Sequence, residues 1–187
     1  SIQAKQVSQL TVGIPRALNT YENFPFWCTL LVESEINVHL SDPSSQALYE
    51  KGLATIMSEN ICFPAKLLHG HVYNLIEARV DRIFYPMVFY EQCEFSNTVN
   101  CFNCPIVTGY PDVVRSAIDP QGKHGIPFDQ PVVNFQDRKL LKQACQDYLS
   151  SLGVDKATIE KALYKALLAQ ADFKTSLRSA GMKTLHQ

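Results

Sequence analysis

Residues 82–90 read "RIFYPMVFY", and after the leading arginine every side chain is apolar or aromatic. A strand with one wet face alternates between polar and apolar positions. A run without alternation marks a strand covered on both faces, as in the middle of a parallel sheet packed between helices. That one stretch makes the chain an α/β protein if the segments around it alternate in kind.

They do. Downstream, "PIVTGY" (105–110) reads as a short strand, Pro111 opens a helix over "PDVVRSAI", and "PVVNF" (131–135) reads as a last strand. The stretch between, "DPQGKHGIPFDQP" (119–131), is rich in glycine and proline and reads as a loop. Upstream, Leu67, Leu68, Val72, Leu75 and Ile76 have helical spacing from Pro64 to about Arg79. "LATIM" (53–57) reads as a short strand. "SSQALYEKG" (44–52) reads as a short helix closing on Gly52, which suits a C-terminal cap. "INVHLSDP" (36–43) alternates like a strand. "NFPFWCTLLVESEI" (23–36) predicts a helix with Asn23 near its cap, Pro25 in its first turn, and Trp27, Leu30 and Leu31 on its apolar face. "TVGIPR" (11–16) is a buried strand broken by Pro15.

Strands spaced by helices predict an open, mainly parallel sheet of about four or five strands flanked by helices, a Rossmann- or flavodoxin-like three-layer arrangement. The last third changes character. Residues 137–150 and 155–180 predict a C-terminal helical pair, with Ile159, Leu163, Ala166, Leu167 and Phe173 as a stripe. The expected division is an α/β unit over 10–135 and a helical segment over 136–187, which packs on that unit or links it to another domain.

The chain has 187 residues, 46% of them hydrophobic and 19% charged, with a formal net charge of −1. That balance gives no reason to expect nucleic acid or an acidic membrane surface as a partner. No apolar run approaches the ~20 residues of a membrane span. With no secretory signal visible, the expected compartment is the cytoplasm. The polar lead-in from Ser1, "SIQAKQVSQ", reads as a cut within a longer protein. There is no G-x-G-x-x-G, no G-x-x-x-x-G-K-[ST] and no G-x-S-x-G, so the fold carries no signature for a dinucleotide, a nucleoside triphosphate or a serine nucleophile.

The chemistry rests on cysteine. The six are Cys28, Cys62, Cys93, Cys101, Cys104 and Cys145, and reduced thiols are the default expectation. Cys62, in "SENICFPAKLLHGH" (58–71), lies just ahead of a helix opened by Pro64, where free N–H groups and the helix dipole favour negative charge. Its plain alternative is a buried thiol at a strand end. Cys101 and Cys104 form a C-x-x-C pair, a spacing that suits zinc, an iron–sulfur cluster or a redox disulfide. Cys93 is a third candidate or a bystander. Cys28 and Cys145 fall within helices as packing residues. His69 and His71 are two apart, about 200° around a helix, so they do not both face one metal. At most one points at a site, and the other is a surface or outlying residue.

The blocks "GIPRALNTYENFPFW", "LYEKG", "SENICFPAKLLHGHV", "DRIFYPMVFYE" and "NCPIVTGYPDVV" occur in order from Val12 to Ile118, over somewhat more than half the chain. Together they resemble the 2-hydroxyglutaryl-CoA dehydratase-like domain of CoA-substrate-specific enzyme activase proteins. Such proteins of anaerobes hold a [4Fe-4S] or double-cubane cluster between α/β domains, and an activator ATPase passes low-potential electrons to it. The resemblance implies Cys62 and Cys104 as cluster ligands, with Cys101 and Cys93 behind them. Cys101 falls where a non-cysteine is expected, and Met87 stands where related sequences can carry cysteine. It further implies an activator ATPase domain or subunit and a neighbouring domain of the same parent chain as partners, and leaves room for an acyl-CoA substrate. The other readings are a non-catalytic domain that docks to the ATPase, and a domain stabilised by zinc on Cys93, Cys101 and Cys104.

Overall fold

A computed structural model describes residues 7–95 and 97–185, so most of the polar lead-in and the last two residues of the helical segment lie outside it. The strands are β1 (Thr11–Ile14), β2 (Asn37–Leu40), β3 (Arg82–Phe84), β4 (Met87–Tyr90), β5 (Phe128–Asp129) and β6 (Val132–Asn134). All pair in parallel: β1 with β2 and β3, β3 with β5, and β4 with β6. Residues 82–90 thus form two strand halves parted at Tyr85 and Pro86, and 128–134 part likewise at Gln130 and Pro131. The ladder runs on across both breaks, since Ile83, Tyr85 and Met87 donate in turn to the carbonyls of Pro127, Asp129 and Pro131. The two paths act as neighbouring strands, giving a four-strand sheet in the order β2, β1, the 82–90 path, the 128–134 path.

The helices are α1 (Thr20–Glu33), α2 (Gln46–Gly52), α3 (Phe63–Glu77), α4 (Pro105–Ile118), α5 (Pro120–His124), α6 (Arg138–Ser151) and α7 (Lys156–Leu185). On one face of the sheet, α1, α6 and α7 bury Phe26, Trp27, Leu31, Leu149, Ile159 and Ala166 against Val12, Ile14 and Val88. On the other, α3 and α4 bury Leu68, Val72, Tyr110 and Val114 against Ile83 and Tyr85. This is the three-layer α/β arrangement expected, with the C-terminal helices sharing the core of the first face. The aromatic cluster there is edge-to-face: the Trp27 and Phe84 rings are 5.0 Å apart and Phe26 and Phe135 5.2 Å, a geometry that adds to simple burial.

Several sequence expectations are corrected. "PIVTGY" (105–110) is not a strand but the opening of α4. Tyr110, Val114 and Ile118 recur every four residues and are all buried, so the helical period extends back through a segment too short to show it alone. "LATIM" is not a strand either. Leu53–Thr55 form a turn of 3-10 helix, and Leu53 and Met57 are exposed. Within the expected loop 119–131, Asp119 caps α5 through Gly122 N–H at 3.0 Å and β5 joins the sheet. Helix α1 starts at Thr20, three residues before Asn23, and Pro25 sits inside it. Gly52 is not a left-handed cap. Its φ is −86°, and a Cβ there would lie 2.5 Å from Gly70 N and 2.7 Å from His69 Cβ. It is glycine because α2 and α3 touch at that point.

Candidate functional site

Helix α3 leads back to β3 and α4 leads back toward β5 in a sheet whose strands all run parallel, so both begin toward the carboxyl edge, where open α/β folds place their sites. Each begins with the same device. Cys62 is the N-cap of α3 and Cys104 the N-cap of α4, each with extended backbone, a proline in the first two helical positions, and no side-chain cap hydrogen bond. Both are free and exposed. In α3 Pro64 has no N–H and those of Ala65 and Lys66 bond to Cys62 O at 3.1 and 3.2 Å, and in α4 Pro105 has none and Thr108 N–H bonds to Cys104 O at 3.0 Å, so what each helix start offers an outside anion is chiefly the positive end of its dipole.

The two helices that carry the caps touch each other. His69 Nε2 on α3 meets Tyr110 Oη on α4 at 3.0 Å, seven residues after Cys62 and six after Cys104. At 1.5 Å of rise per residue that contact falls about two turns into each helix. Cys62 also lies close enough to Tyr110 that its charge, after burial, helps push the Tyr110 hydroxyl above its ordinary range.

Cys101 is drawn elsewhere. It is joined to Cys93 in a disulfide that staples the loop between β4 and α4. This corrects the expectation of reduced thiols throughout, and it sets Cys101 apart from the C-x-x-C partnership with Cys104. The loop folds back on β4: Asn103 N–H donates to Phe89 O, Glu91 N–H to Cys101 O, and the Tyr90 and Phe102 rings lie 4.3 Å apart. Glu91 accepts from Asn23 Nδ2 at 3.0 Å and Asn103 Nδ2 at 2.9 Å, which ties that loop to α1. Met87 lies in β4, where its Sδ takes a 3.7 Å contact from Gln130 Nε2. Among the described residues no group of three or more His, Cys, Asp or Glu side chains is placed to hold a metal ion.

Neither histidine is a surface residue. Both are fully buried. Thr55 Oγ1 spends its proton on Gly52 O (2.9 Å), so it accepts from His69 Nδ1 at 2.8 Å, and His69 Nε2 accepts from the Tyr110 hydroxyl. That chain fits a neutral ring, and burial lowers the His69 pKa to about 4. His71 lies between Ser41 Oγ (2.8 Å) and Ser44 Oγ (3.0 Å). Burial first, then the charge of Arg16, lowers its pKa to about 4. These rings hold the α3 layer together and are not ligands. Cys28 and Cys145 behave as packing residues: burial raises both, Cys145 to about 12.

The aromatics near the caps divide. Phe84 and Tyr85 are core, whereas Phe63, beside Cys62, is 56% exposed and packs against Tyr49 at 5.2 Å. A broad hollow of about 840 Å³ between β6 and α6, lined by Phe89, Val132, Leu140 and Tyr148, opens on the other face of the sheet, away from the cysteine caps. At the end of the sheet Arg82 forks onto Asp129 at 2.7 and 2.6 Å, and Tyr148 donates to the same carboxylate at 3.1 Å. Nothing in the spacing of the sequence announced that triad, because its members come from three distant segments.

No described helix is long and apolar enough to cross a membrane. Comparison with curated proteins gives no match, and neither does comparison with solved structures. A family model does match, over residues 11–187, and its description is "CoA enzyme activase uncharacterised domain". The match begins at the first residue of β1 and takes in the sheet, both cysteine caps and the C-terminal helices, and the chain belongs to that family.

Proposed function

We propose that this chain supplies part of an iron–sulfur site in a 2-hydroxyacyl-CoA dehydratase-like, activase-related protein. Cys62 and Cys104 would hold one side of a [4Fe-4S] or related cluster, whose chemistry is low-potential electron transfer or reductive acyl-CoA chemistry. One observation carries the reading: two free, exposed cysteines cap two adjacent, co-directional helices at the carboxyl edge of a parallel sheet. The donor set fits half of such a group. Thiolates are its usual ligands, and the positive ends of the two helix dipoles favour its negative charge. Two sulfurs do not complete it, so the remaining ligands come from a neighbouring domain of the same parent chain. An activator ATPase domain or subunit would be the electron donor.

Anaerobic reconstitution of the full-length protein with ferrous iron and sulfide tests this. The expected product is brown, with sulfur-to-iron charge-transfer absorption and bound iron, and the Cys62→Ala, Cys104→Ala double variant loses both. A colourless, iron-free product from the unaltered protein would sink the reading.

A second reading draws on the exposed side chains of α7, where Tyr164, Leu168, Leu177, Met182 and Leu185 face solvent. Here the chain is an interaction domain that docks to the ATPase without chemistry of its own. It is favoured if ATPase binding is unchanged in the same double variant while the protein takes up no iron.

A further inference from the structure

The turn leaving β1 places Arg16 at the carboxyl edge, between β2 and the 82–90 path. There the chain's crossovers change from the α1 face to the α3 face, the switch point at which open parallel sheets gather ligands. Arg16 Nε is buried and has no hydrogen-bond partner among the described residues. No ion pair among the described residues uses its guanidinium. The backbone around it is fixed, because Arg16 N–H donates to Ser41 Oγ at 2.8 Å and that oxygen meets His71 Nδ1. His71 is neutral, so it does not balance the charge. A buried N–H without an acceptor is costly, and an orphan of this kind in a well-bonded structure calls for a partner outside the chain.

The space for that partner is present. Arg16 is one wall of a cavity of about 170 Å³ between α1, β2 and α7. Thr20, almost wholly buried in the first turn of α1, supplies a hydroxyl, and the start of that helix adds to the positive field. The rest of the wall is mainly carbon, from Phe24, Pro25, Leu40 and Phe173. An apolar cavity of about this size holds one benzene-sized molecule.

We propose that this cavity binds a small carboxylic acid with a compact apolar body, its carboxylate on Arg16 and Thr20 and its hydrocarbon against Phe24, Leu40 and Phe173. Inorganic phosphate suits it less well, because several of its oxygens would face carbon without a donor. The site is separate from the cysteine caps, and its test is independent of any cluster.

The intact protein is titrated with isovalerate, with isovaleramide and with inorganic phosphate, and the NMR signals of Thr20 and Leu40 are followed. Isovalerate should shift both and bind roughly ten- to hundredfold more tightly than the neutral amide, the range expected of a hydrogen bond to a charged group. Arg16→Gln should lose that preference with an unchanged far-ultraviolet spectrum. Phe173→Ala, which widens the apolar end, should move the preference toward cyclohexanecarboxylate. Equal binding of acid and amide, phosphate displacing isovalerate, undiminished isovalerate binding in Arg16→Gln, or no binding at all would each overturn the proposal. If Arg16→Gln does not fold, the comparison of acid, amide and phosphate on the unaltered protein decides.

Discussion

Pro25 has no N–H to give the helix that contains it, and its ring crowds the preceding turn. Helix α1 tolerates it because of one residue far away. Gln170 of α7 accepts from Phe26 N–H at 3.2 Å and donates to Glu22 O at 2.7 Å, the two groups that an uninterrupted α-helix would join to each other. Its carboxamide is inserted into the ladder, and a buried polar residue on α7 becomes the link that fixes α7 along α1. Replacing it with leucine keeps the bulk and removes both bonds. Each orphaned group costs on the order of 1–3 kcal/mol, so Gln170→Leu, which orphans two, should lower the urea unfolding free energy by about 2–6 kcal/mol. A loss under ~0.5 kcal/mol would mean that the backbone closes its own bond once the amide is gone. The sequence shows Pro25 plainly, but it gives no sign of Gln170, because the partner lies almost the length of the chain away.

At the scale of elements, the junction of α2 and α3 is set by two glycines. A Cβ on Gly70 would lie 2.0 Å from Leu48 O, a backbone atom that has nowhere to go, and Gly52 faces it from the other helix. Gly109 of α4 is the opposite case, with open space where its Cβ would be. Gly70→Ala should therefore cost at least the 1–3 kcal/mol typical of overpacking, whereas Gly109→Ala should gain up to about 1 kcal/mol from helix propensity alone. Thermal melts of the two variants should move in opposite directions, and a Gly70→Ala protein as stable as its parent would refute the close-packing account. The same contrast explains what the sequence disclosed about the fold. The unalternating run at 82–90 announced a doubly covered strand, and Leu68, Val72 and Leu75 announced α3, since both signals repeat within one segment. The strand reading of 105–110 failed because Ile106 and Val107 favour a strand locally, while the helical register of Tyr110, Val114 and Ile118 is decided by packing against α3. Cys62 and Cys104 were legible as helix-edge and motif cysteines, but that Cys104 is an N-cap like Cys62 depends on α4 starting at Pro105. The pairing of Cys93 with Cys101 depends on a loop fold that no spacing rule encodes.

For the molecule as a whole, the buried titratable groups set how stability answers to pH. His69 and His71 are held neutral inside the α3 layer, each with its pKa lowered from 6.5 to about 4. A group of this kind binds its proton more weakly in the folded state than in the unfolded one. The stabilisation is therefore complete above pH 6.5 and is lost as the pH falls toward 4. By pH 5 each ring should remove roughly 2 kcal/mol, together a large share of the stability of an ordinary domain. Glu91 acts in the other direction. Burial raises its pKa, against the smaller pull of the Asn23 and Asn103 amides, so its folded form prefers the proton and stability is lost as the pH rises through the carboxylate range. Glu91→Gln keeps an acceptor for both amides and removes the buried charge. Urea unfolding at pH 7.5, 6 and 5 should show stability falling steadily with acid in the parent protein. The Glu91→Gln variant should be more stable at pH 7.5 and steeper below it, because the opposing group is gone. A flat profile between pH 7.5 and 5 would mean that one or both rings reach water and can take up a proton without unfolding. The Thr55–His69–Tyr110 chain would then be a conduit to solvent beside Cys62 and not a sealed part of the core.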